Sequence, residues 1–220
     1  MQASELISNS IPPLKTSDSA QKALERMTEF KLMHLPIVNE SQFLGLLSED
    51  ELIEVKDLNE PIGGLSLSLL NPFVYEDTHV YDVIRLLNLL NLSVVPVLDY
   101  KKNYLGLVTE RNLLTYASDI FALKEPGGII VLEISNRNNS LAHMAQIVEA
   151  DNAQILSSYV QSFPDSTKLE VTLKVNKTEL SGIIASFERY DYHVKSVFNS
   201  TRTDDGTEDR FNSFMNYLNV

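Results

Sequence analysis

Residues 94–113 read VVPVLDYKKNYLGLVTERNL, and residues 34–52 read HLPIVNESQFLGLLSEDEL. Both stretches run from apolar residues through a proline (Pro36, Pro96) into a polar hairpin loop, then through an aromatic-Leu-Gly run to a hydroxyl and charged residues. The match extends upstream: Ala20, Ala23, Leu24, Met27 and Phe30 recur at Val80, Val83, Ile84, Leu87 and Leu90. The offset is 60 residues before the hairpin and 61 after it, because loop Asn39 to Gln42 has four residues and loop Asp99 to Asn103 has five. A loop absorbs such an insertion at little cost. The chain therefore carries an internal repeat, and the repeat governs every local reading.

Each copy predicts the order strand, helix, strand, strand, helix. In the first, an extended piece around Ile11 to Leu14 precedes a helix capped by Ser17 or Asp18 that reaches about Lys31, with apolar residues at helical spacing. Strands at Leu35 to Val38 and Phe43 to Leu47 follow, then a helix from Ser48 to about Asp57. In the second, an extended Pro72 to Tyr75 leads to a helix capped by Asp77 or Thr78, strands near 94–98 and 104–108, and a helix from Thr109 to about Leu123. Neither copy has enough apolar surface to hide its own sheet; two copies related by a pseudo-twofold would bury it.

Lys124-Glu-Pro-Gly-Gly128 breaks the composition and marks a domain boundary. Beyond it the pattern predicts a strand Ile129 to Ile134, a helix to Ala150 and a strand Ile155 to Phe163. An alternating strand with Leu169, Val171, Leu173 and Val175 on one face comes next, then a helix with Leu180, Ile183, Ile184 and Phe187 and a strand His193 to Phe198. That order, βαββαβ, is ferredoxin-like: four antiparallel strands with both helices on one face and the other face open to a partner. The expected division is residues 1–63 and 64–123 for the two repeats, 124–128 for a linker, 129–198 for the third unit, and 199–220 for a polar tail. In the tail, Phe211, Phe214, Met215 and Leu218 suit a short helix. The fold class is α/β, of the α+β kind.

Composition bounds the function. With 220 residues, 44% hydrophobic and 22% charged, the chain can bury a sizeable core. A formal net charge of −12 argues against nucleic acid or an anionic membrane as general partner. The absence of cysteine removes disulfides, thiolate metal sites and a Cys nucleophile, and fits a cytoplasmic protein. The first residues lack the charged and apolar regions of a signal peptide, and no apolar run reaches the roughly 18 residues of a membrane span. His34, His79, His143 and His193 have no metal-binding spacing, and neither a Walker A sequence nor G-x-S-x-G nor G-x-G-x-x-G is present. An enzyme reading has no residues to carry it.

The pair of repeats resembles a tandem of CBS domains, a Bateman module, over about residues 1–123. The likeness rests on the apolar-Pro-apolar strands, Leu-Gly-Leu at 44–46 and 105–107, and the tetrads Ser48-Glu49-Asp50-Glu51 and Thr109-Glu110-Arg111-Asn112. The resemblance implies an adenosine-containing ligand (AMP, ADP, ATP or S-adenosylmethionine), with no cofactor required. It implies that Ser48 and Thr109 contact phosphate and that Glu51 and Asn112 stand where the family has a ribose-holding Asp. Glu keeps the charge on a longer arm, and Asn accepts through one oxygen. Alternatively Ser48 and Thr109 are simply helix caps. His34 either contacts nucleotide near the first cleft or is an ordinary, partly exposed histidine. Glu49-Asp50-Glu51 is explained by the helix dipole alone.

The segment after residue 128 resembles an ACT domain, as in acetoin-utilisation-type regulatory proteins. Ligand-binding members carry a glycine in the first strand-to-helix turn, but here that turn reads Asn136-Arg-Asn-Asn-Ser140. Dimerisation is therefore expected ahead of amino-acid sensing. Together these resemblances imply a non-enzymatic regulatory homodimer, with an unknown regulated protein as a further partner; the competing readings are a ligand-free interaction scaffold and an amino-acid sensor.

The two tetrads differ in charge, Asp50 standing where the second has Arg111. If Arg111 faces its cleft, its planar fork suits phosphate, with Lys101 and Lys102 adding positive potential; the alternative is that it faces solvent. The first cleft would repel polyphosphate and favour a neutral or cationic adenosine ligand.

Overall fold

The computed structural model describes residues 1–8, 10–135, 140–164 and 166–199, and divides into two compact units, Met1–Tyr116 and Ala117–Val220. The suggested tail helix and most of the glycine-free turn lie outside the described residues.

In the first unit the copies fold alike. The first contributes α1 (Ala20–Phe30), the hairpin β1 (His34–Asn39) and β2 (Gln42–Ser48), and α2 (Glu49–Ile53). The second contributes β3 (Val74–Tyr75), α3 (Val80–Leu90), β4 (Val94–Leu98), β5 (Tyr104–Thr109) and α4 (Glu110–Ile120), the last running on past Tyr116. β3 pairs in parallel with β4 at Val97, and Leu14 forms the matching parallel bridge to Ile37. Leu14 N donates to Pro36 O and Val38 N donates to Leu14 O, so a single residue supplies the third strand of the first copy.

The segment ahead of each copy crosses to the other. Ser8 bridges Leu107 of β5, while Leu70 bridges Leu46 of β2 through two backbone hydrogen bonds of 2.7 and 3.1 Å. This exchange explains the glycine of each Leu-Gly-Leu run. A Cβ on Gly45 would lie 2.8 Å from Leu69 Cβ, and one on Gly106 would lie 2.3 Å from Ile7 Cγ2. Only glycine admits the crossing segment that closely. One apolar core spans both copies, with Leu14, Met27, Leu35, Leu46, Leu47, Leu52, Val83, Leu92, Val95 and Leu107 buried, so neither copy hides its sheet alone.

Helix ends differ from expectation. Ser19, and neither Ser17 nor Asp18, caps α1, its hydroxyl accepting from Lys22 N; Asp18 instead accepts from Lys15 N at 2.9 Å and pairs with Lys22 at 2.6 Å. His79 caps α3 through its ring, and Asp77 accepts from Tyr100 Oη. In both copies the cap falls one or two residues later than expected, and in each an acidic candidate, Asp18 or Asp77, is held by other partners. α2 ends at Ile53, short of Asp57: Leu52 is its only buried residue, and Glu49, Asp50, Glu51 and Glu54 crowd like charges onto it. α4 ends at Ile120 rather than Leu123, with a left-handed Ala122 after it.

The second unit orders β6 (Gly128–Ser135), α5 (Leu141–Ala150), β7 (Ile155–Ser162), β8 (Lys168–Val175), α6 (Ser181–Arg189) and β9 (His193–Asn199). Its sheet runs β7-β8-β6-β9, all antiparallel, the ferredoxin-like arrangement. The alternation read in β8 holds, since Val171, Leu173 and Val175 are buried against Met144, Ile147, Ile183 and Phe187. Gly127 has no substitute here, because a Cβ would sit 1.9 Å from Val175 O. On the opposite face Phe121, Ile129, Val131, Tyr159 and Phe198 line an apolar groove of about 460 Å³.

Candidate functional site: two clefts of opposite charge

The pseudo-twofold generates two clefts in the first unit, each walled by the tetrad of one copy and the first-helix end of the other. The first is lined by Met33, His34, Ser48, Glu49, Asp50 and Leu70 together with Leu90 and Asn91, and has a volume of about 270 Å³. The second, about 510 Å³, is lined by Thr109, Glu110, Arg111, Asn112 and Ser93 together with Phe30, Lys31 and Leu32, and by Ser8, Ser10 and Ile11. Only the second falls within the several hundred Å³ usual for a drug-sized ligand.

Equivalent positions in the two clefts carry different chemistry. Lys31 and Asn91 both end a helix in the left-handed region, at φ 55° and 50°. The backbone of α1 closes on Lys31 with Leu32 N donating to Met27 O, and that of α3 closes on Asn91 with Leu92 N donating to Leu87 O. The same turn thus delivers an ammonium to one cleft and a neutral amide to the other. Arg111 lines the second cleft where Asp50 lines the first. Two cations and one carboxylate face the second cleft; two carboxylates and an imidazole face the first.

The tetrads are also bonded differently. Thr109 Oγ1 accepts from Asn112 N at 3.1 Å, and Asn112 Oδ1 accepts from both Thr109 N (3.1 Å) and Thr109 Oγ1 (2.6 Å). This is a capping box closed by Asn instead of Glu or Gln. It occupies the single acceptor oxygen of Asn112, so the amide presents its NH₂ group, a donor where the sequence suggested an acceptor. In the first copy, Ser48 Oγ accepts from Glu51 N at 3.4 Å, and Glu51 Oε2 accepts from Ser68 N at 2.9 Å. Glu51 is not among the residues lining the first cleft.

The cation accompanying Arg111 is Lys31, not Lys101 or Lys102. Those two lie in the β4–β5 turn, at the opposite end of the hairpin from Thr109 and Ser93. Sequence reading missed Lys31 because its contribution comes from the other copy; a lysine at a helix-ending position whose counterpart is the preferred Asn was the available signal.

His34 is 9% exposed and Ser93 5%, so His34 is more buried than expected. Ser93 Oγ lies 3.1 Å from both Met33 N and His34 N and 3.2 Å from His34 Nδ1, while Ser93 N is 3.3 Å from that same nitrogen. Burial holds the pKa of His34 below the ordinary imidazole value, partly opposed by the charge of Asp50. Among the described residues no cluster of His, Asp and Glu is arranged to hold a metal ion, and no helix is long and apolar enough to cross a membrane.

Comparison with known proteins follows the same division. The CBS domain family model matches residues 3–57 and 68–119. Among solved structures, a CBS domain pair/ACT domain protein of Thermotoga maritima is 19% identical, aligned over 53% of this chain and 96% of its own, with a TM-score of 0.48. A protein assigned to acetoin utilization in Vibrio cholerae is 16% identical over 56% of this chain and 95% of its own (TM-score 0.49). CBSX2, solved in complex with AMP, is 22% identical over 53% of this chain and 95% of its own (TM-score 0.46). The repeat read from the sequence, the shared core and the matched residues agree: residues 3–57 and 68–119 are a tandem pair of CBS domains.

Proposed function

We propose that this is a non-enzymatic regulatory protein whose second cleft binds an adenosine nucleotide through its phosphate. One observation carries the reading: Lys31, Arg111 and the donor-turned amide of Asn112 converge on a cleft of about 510 Å³ at the start of α4. A guanidinium and an ammonium match phosphate, the first as a planar fork and the second as a point charge. The N-terminus of an eleven-residue helix adds further positive potential. Ile11, Phe30 and Leu32 give the cleft an apolar flank suited to a base. The roles proposed from the resemblance stay with Ser48 and Thr109 as cleft-lining hydroxyls, while Asn112 serves as a donor.

Residues 1–63 and 64–123 act as the nucleotide-responsive pair, 124–128 as linker, and 129–198 as an ACT-like unit that dimerises in the cytoplasm through its open sheet face. The apolar lining of that face, Ile129, Val131, Tyr159 and Phe198, supports the dimer, since a C2 partner is the commonest cover. Nucleotide binding shifts the population of dimer states by no more than its differential affinity for them.

Calorimetry on the full chain with AMP, ADP, ATP and S-adenosylmethionine tests the reading. At least one phosphate-bearing ligand is expected to bind, and Arg111→Ala to weaken it by about 1.5 to 3 kcal/mol, the range for a hydrogen bond to a charged group. An unchanged affinity in that variant, or no nucleotide binding at all, leaves the scaffold reading in its place.

A further inference from the structure

We propose that residues 211–218 of this same chain cover the apolar groove on the open sheet face of the second unit, inserting Phe211, Phe214, Met215 and Leu218. The inference is independent of the two clefts. It shares the open sheet face with the proposed dimer, and it makes this segment and a second copy rivals for that face.

The face is divided along its strands. On its outer side the register sets Ile129 between Phe198 and Lys174, then Val131 beside Thr172, which is paired in turn with Tyr159. Two residues further along, Glu133 lies between His193 and Glu170. There Glu133 pairs with Lys168 and Glu170 with Lys195. One end of the face is therefore apolar and the other carries paired charges. The groove of about 460 Å³ occupies the apolar end, and Lys174 is the only charged residue lining it. Its walls are exposed, Tyr159 by 47%, Phe198 by 58% and Leu123 by 62%. A contiguous apolar patch of this kind marks a contact surface.

The groove admits only a narrow occupant. The turn after α4 stands on the face, with Phe121 O accepting from Ser157 Oγ at 3.1 Å and the Phe121 ring meeting Tyr159 edge-on at 5.7 Å between centroids. What remains is a slot that takes the side chains of one short segment. A second copy laid flat on the sheet has either to shift this turn or to bury the paired charges, whose desolvation opposes burial.

The chain supplies such a segment at the right place. β9 ends at Asn199, opposite Gly128, so it leaves the sheet at the apolar end, where Phe198 already lines the groove. Residues 200–210 are polar, and Phe211, Phe214, Met215 and Leu218 then recur at helical spacing, which sets them on one side. The eleven residues of that tether reach up to about 36 Å when extended, against roughly 15 Å across the four-stranded sheet, so reach is not limiting. The tether carries Asp204, Asp205, Glu208 and Asp209 against Arg202 and Arg210, a net negative charge opposite to that of Lys174. A tethered segment is present at an effective concentration on the order of millimolar, which favours it over a more dilute second copy.

Because the chain has no cysteine, paired substitutions test the contact cleanly in the full chain. Val131→Cys with Met215→Cys places one thiol in the groove and one on the segment; His193→Cys with Met215→Cys moves the first thiol to the charged end of the same face. Under mild oxidation the Val131 pair is expected to form an intrachain disulfide at least about tenfold faster than the His193 pair. A link between chains gives the groove to a second copy and overturns the proposal, and so does equal or absent linkage of the two pairs. NMR of the native chain needs no substitution: the Met215 methyl should show NOEs to the methyls of Ile129 and Val131, and an isotope-filtered mixture of labelled and unlabelled chains should show none. Their absence from the native chain, or their presence in the mixture, also overturns it. Sedimentation reads the rivalry. Phe214→Asp with Leu218→Asp should tighten self-association at least about tenfold, because the face is then free in every molecule. Self-association unchanged by that variant, with the intrachain link intact, strikes the proposed dimer face and leaves the contact between segment and groove standing.

Discussion

The two clefts share a backbone and differ in side chains. Lys31 and Asn91 adopt the same left-handed conformation, Gly45 and Gly106 admit the same kind of crossing segment, and Ser48 and Thr109 begin equivalent helices. Against that common frame, Lys31 with Arg111 opposes Asn91 with Asp50, and His34 with Ser93 opposes Val94 with Met33. Duplication fixed the shape of both sites, and a handful of substitutions at equivalent positions set their charge. Each residue therefore has a built-in reference: its counterpart in the other repeat already fits the same backbone.

The largest expected effect comes from giving the second cleft the residues of the first. Lys31→Asn combined with Arg111→Asp removes both cations, each of which supplies about 1.5 to 3 kcal/mol if it bonds phosphate, so affinity for AMP or ATP should fall by roughly 3 kcal/mol or more. The comparison becomes sharper because Lys31→Asn alone should not harm the fold. A left-handed conformation costs most L-residues roughly 1 to 2 kcal/mol and Asn less, so urea denaturation of the single variant should show equal or greater stability. A variant that binds nucleotide as well as the native chain would mean that the charge difference between the clefts is ornamental.

Gly45→Ala and Gly106→Ala test whether the exchange of segments is equally tight on both sides. The new Cβ approaches more closely at Gly106, 2.3 Å against 2.8 Å, yet Gly45 is expected to be the costlier site. At Gly106 the obstacle is a γ-methyl of Ile7, which a rotamer change can move. At Gly45 it is Leu69 Cβ, with Leu70 O at 3.1 Å, and neither moves without the backbone. Overpacking of this kind costs about 1 to 3 kcal/mol, so Gly45→Ala should fall near the upper end and Gly106→Ala near the lower. Equal losses in denaturant midpoint would show that both segments yield alike.

A third exchange should raise stability. Tyr104 stands where the first repeat has Phe43, and its hydroxyl is buried without a hydrogen-bond partner, with burial pushing its pKa up. Tyr104→Phe removes an unsatisfied polar group and should stabilise the fold by about 1 kcal/mol. A loss of stability in thermal unfolding would show that the hydroxyl has a partner in solution.

These comparisons also show what the sequence could carry. The repeat, the order of elements in both units and the alternating β8 were legible because apolar periodicity and Leu-Gly-Leu are local patterns. Lys31 was not, because it reaches the second cleft from the first repeat, and the segment exchange that builds each cleft joins residues some hundred positions apart, such as Ser8 and Leu107. The role of Asn112 was read as an acceptor because its competition with Thr109 for the single amide oxygen is a matter of geometry, not of residue type. Helix caps were misplaced for the same reason: Ser17, Asp18 and Ser19 are all good caps, and only the pairing of Asp18 with Lys15 N and Lys22 leaves the position to Ser19.

The smallest expected effect is the pH dependence of the seam between the repeats. His34 is held below its ordinary pKa of 6.5, first by burial, with Asp50 acting in the opposite direction. The unfolded chain therefore binds a proton at this site before the folded chain does. Stability contributed by the neutral ring is fully present above the unfolded value, declines as the pH falls through 6.5 toward the lower folded value, and has no further dependence below that. The second repeat offers the control, since Val94 cannot titrate. His34→Val should flatten the decline between pH 7 and the folded value while leaving the carboxylate-driven losses at lower pH in place. Paired urea titrations of the native and His34→Val chains from pH 8 to about pH 5 measure the difference directly. If the two curves run parallel through 6.5, the buried imidazole is not linked to folding, and the donors around Nδ1 do not hold it neutral.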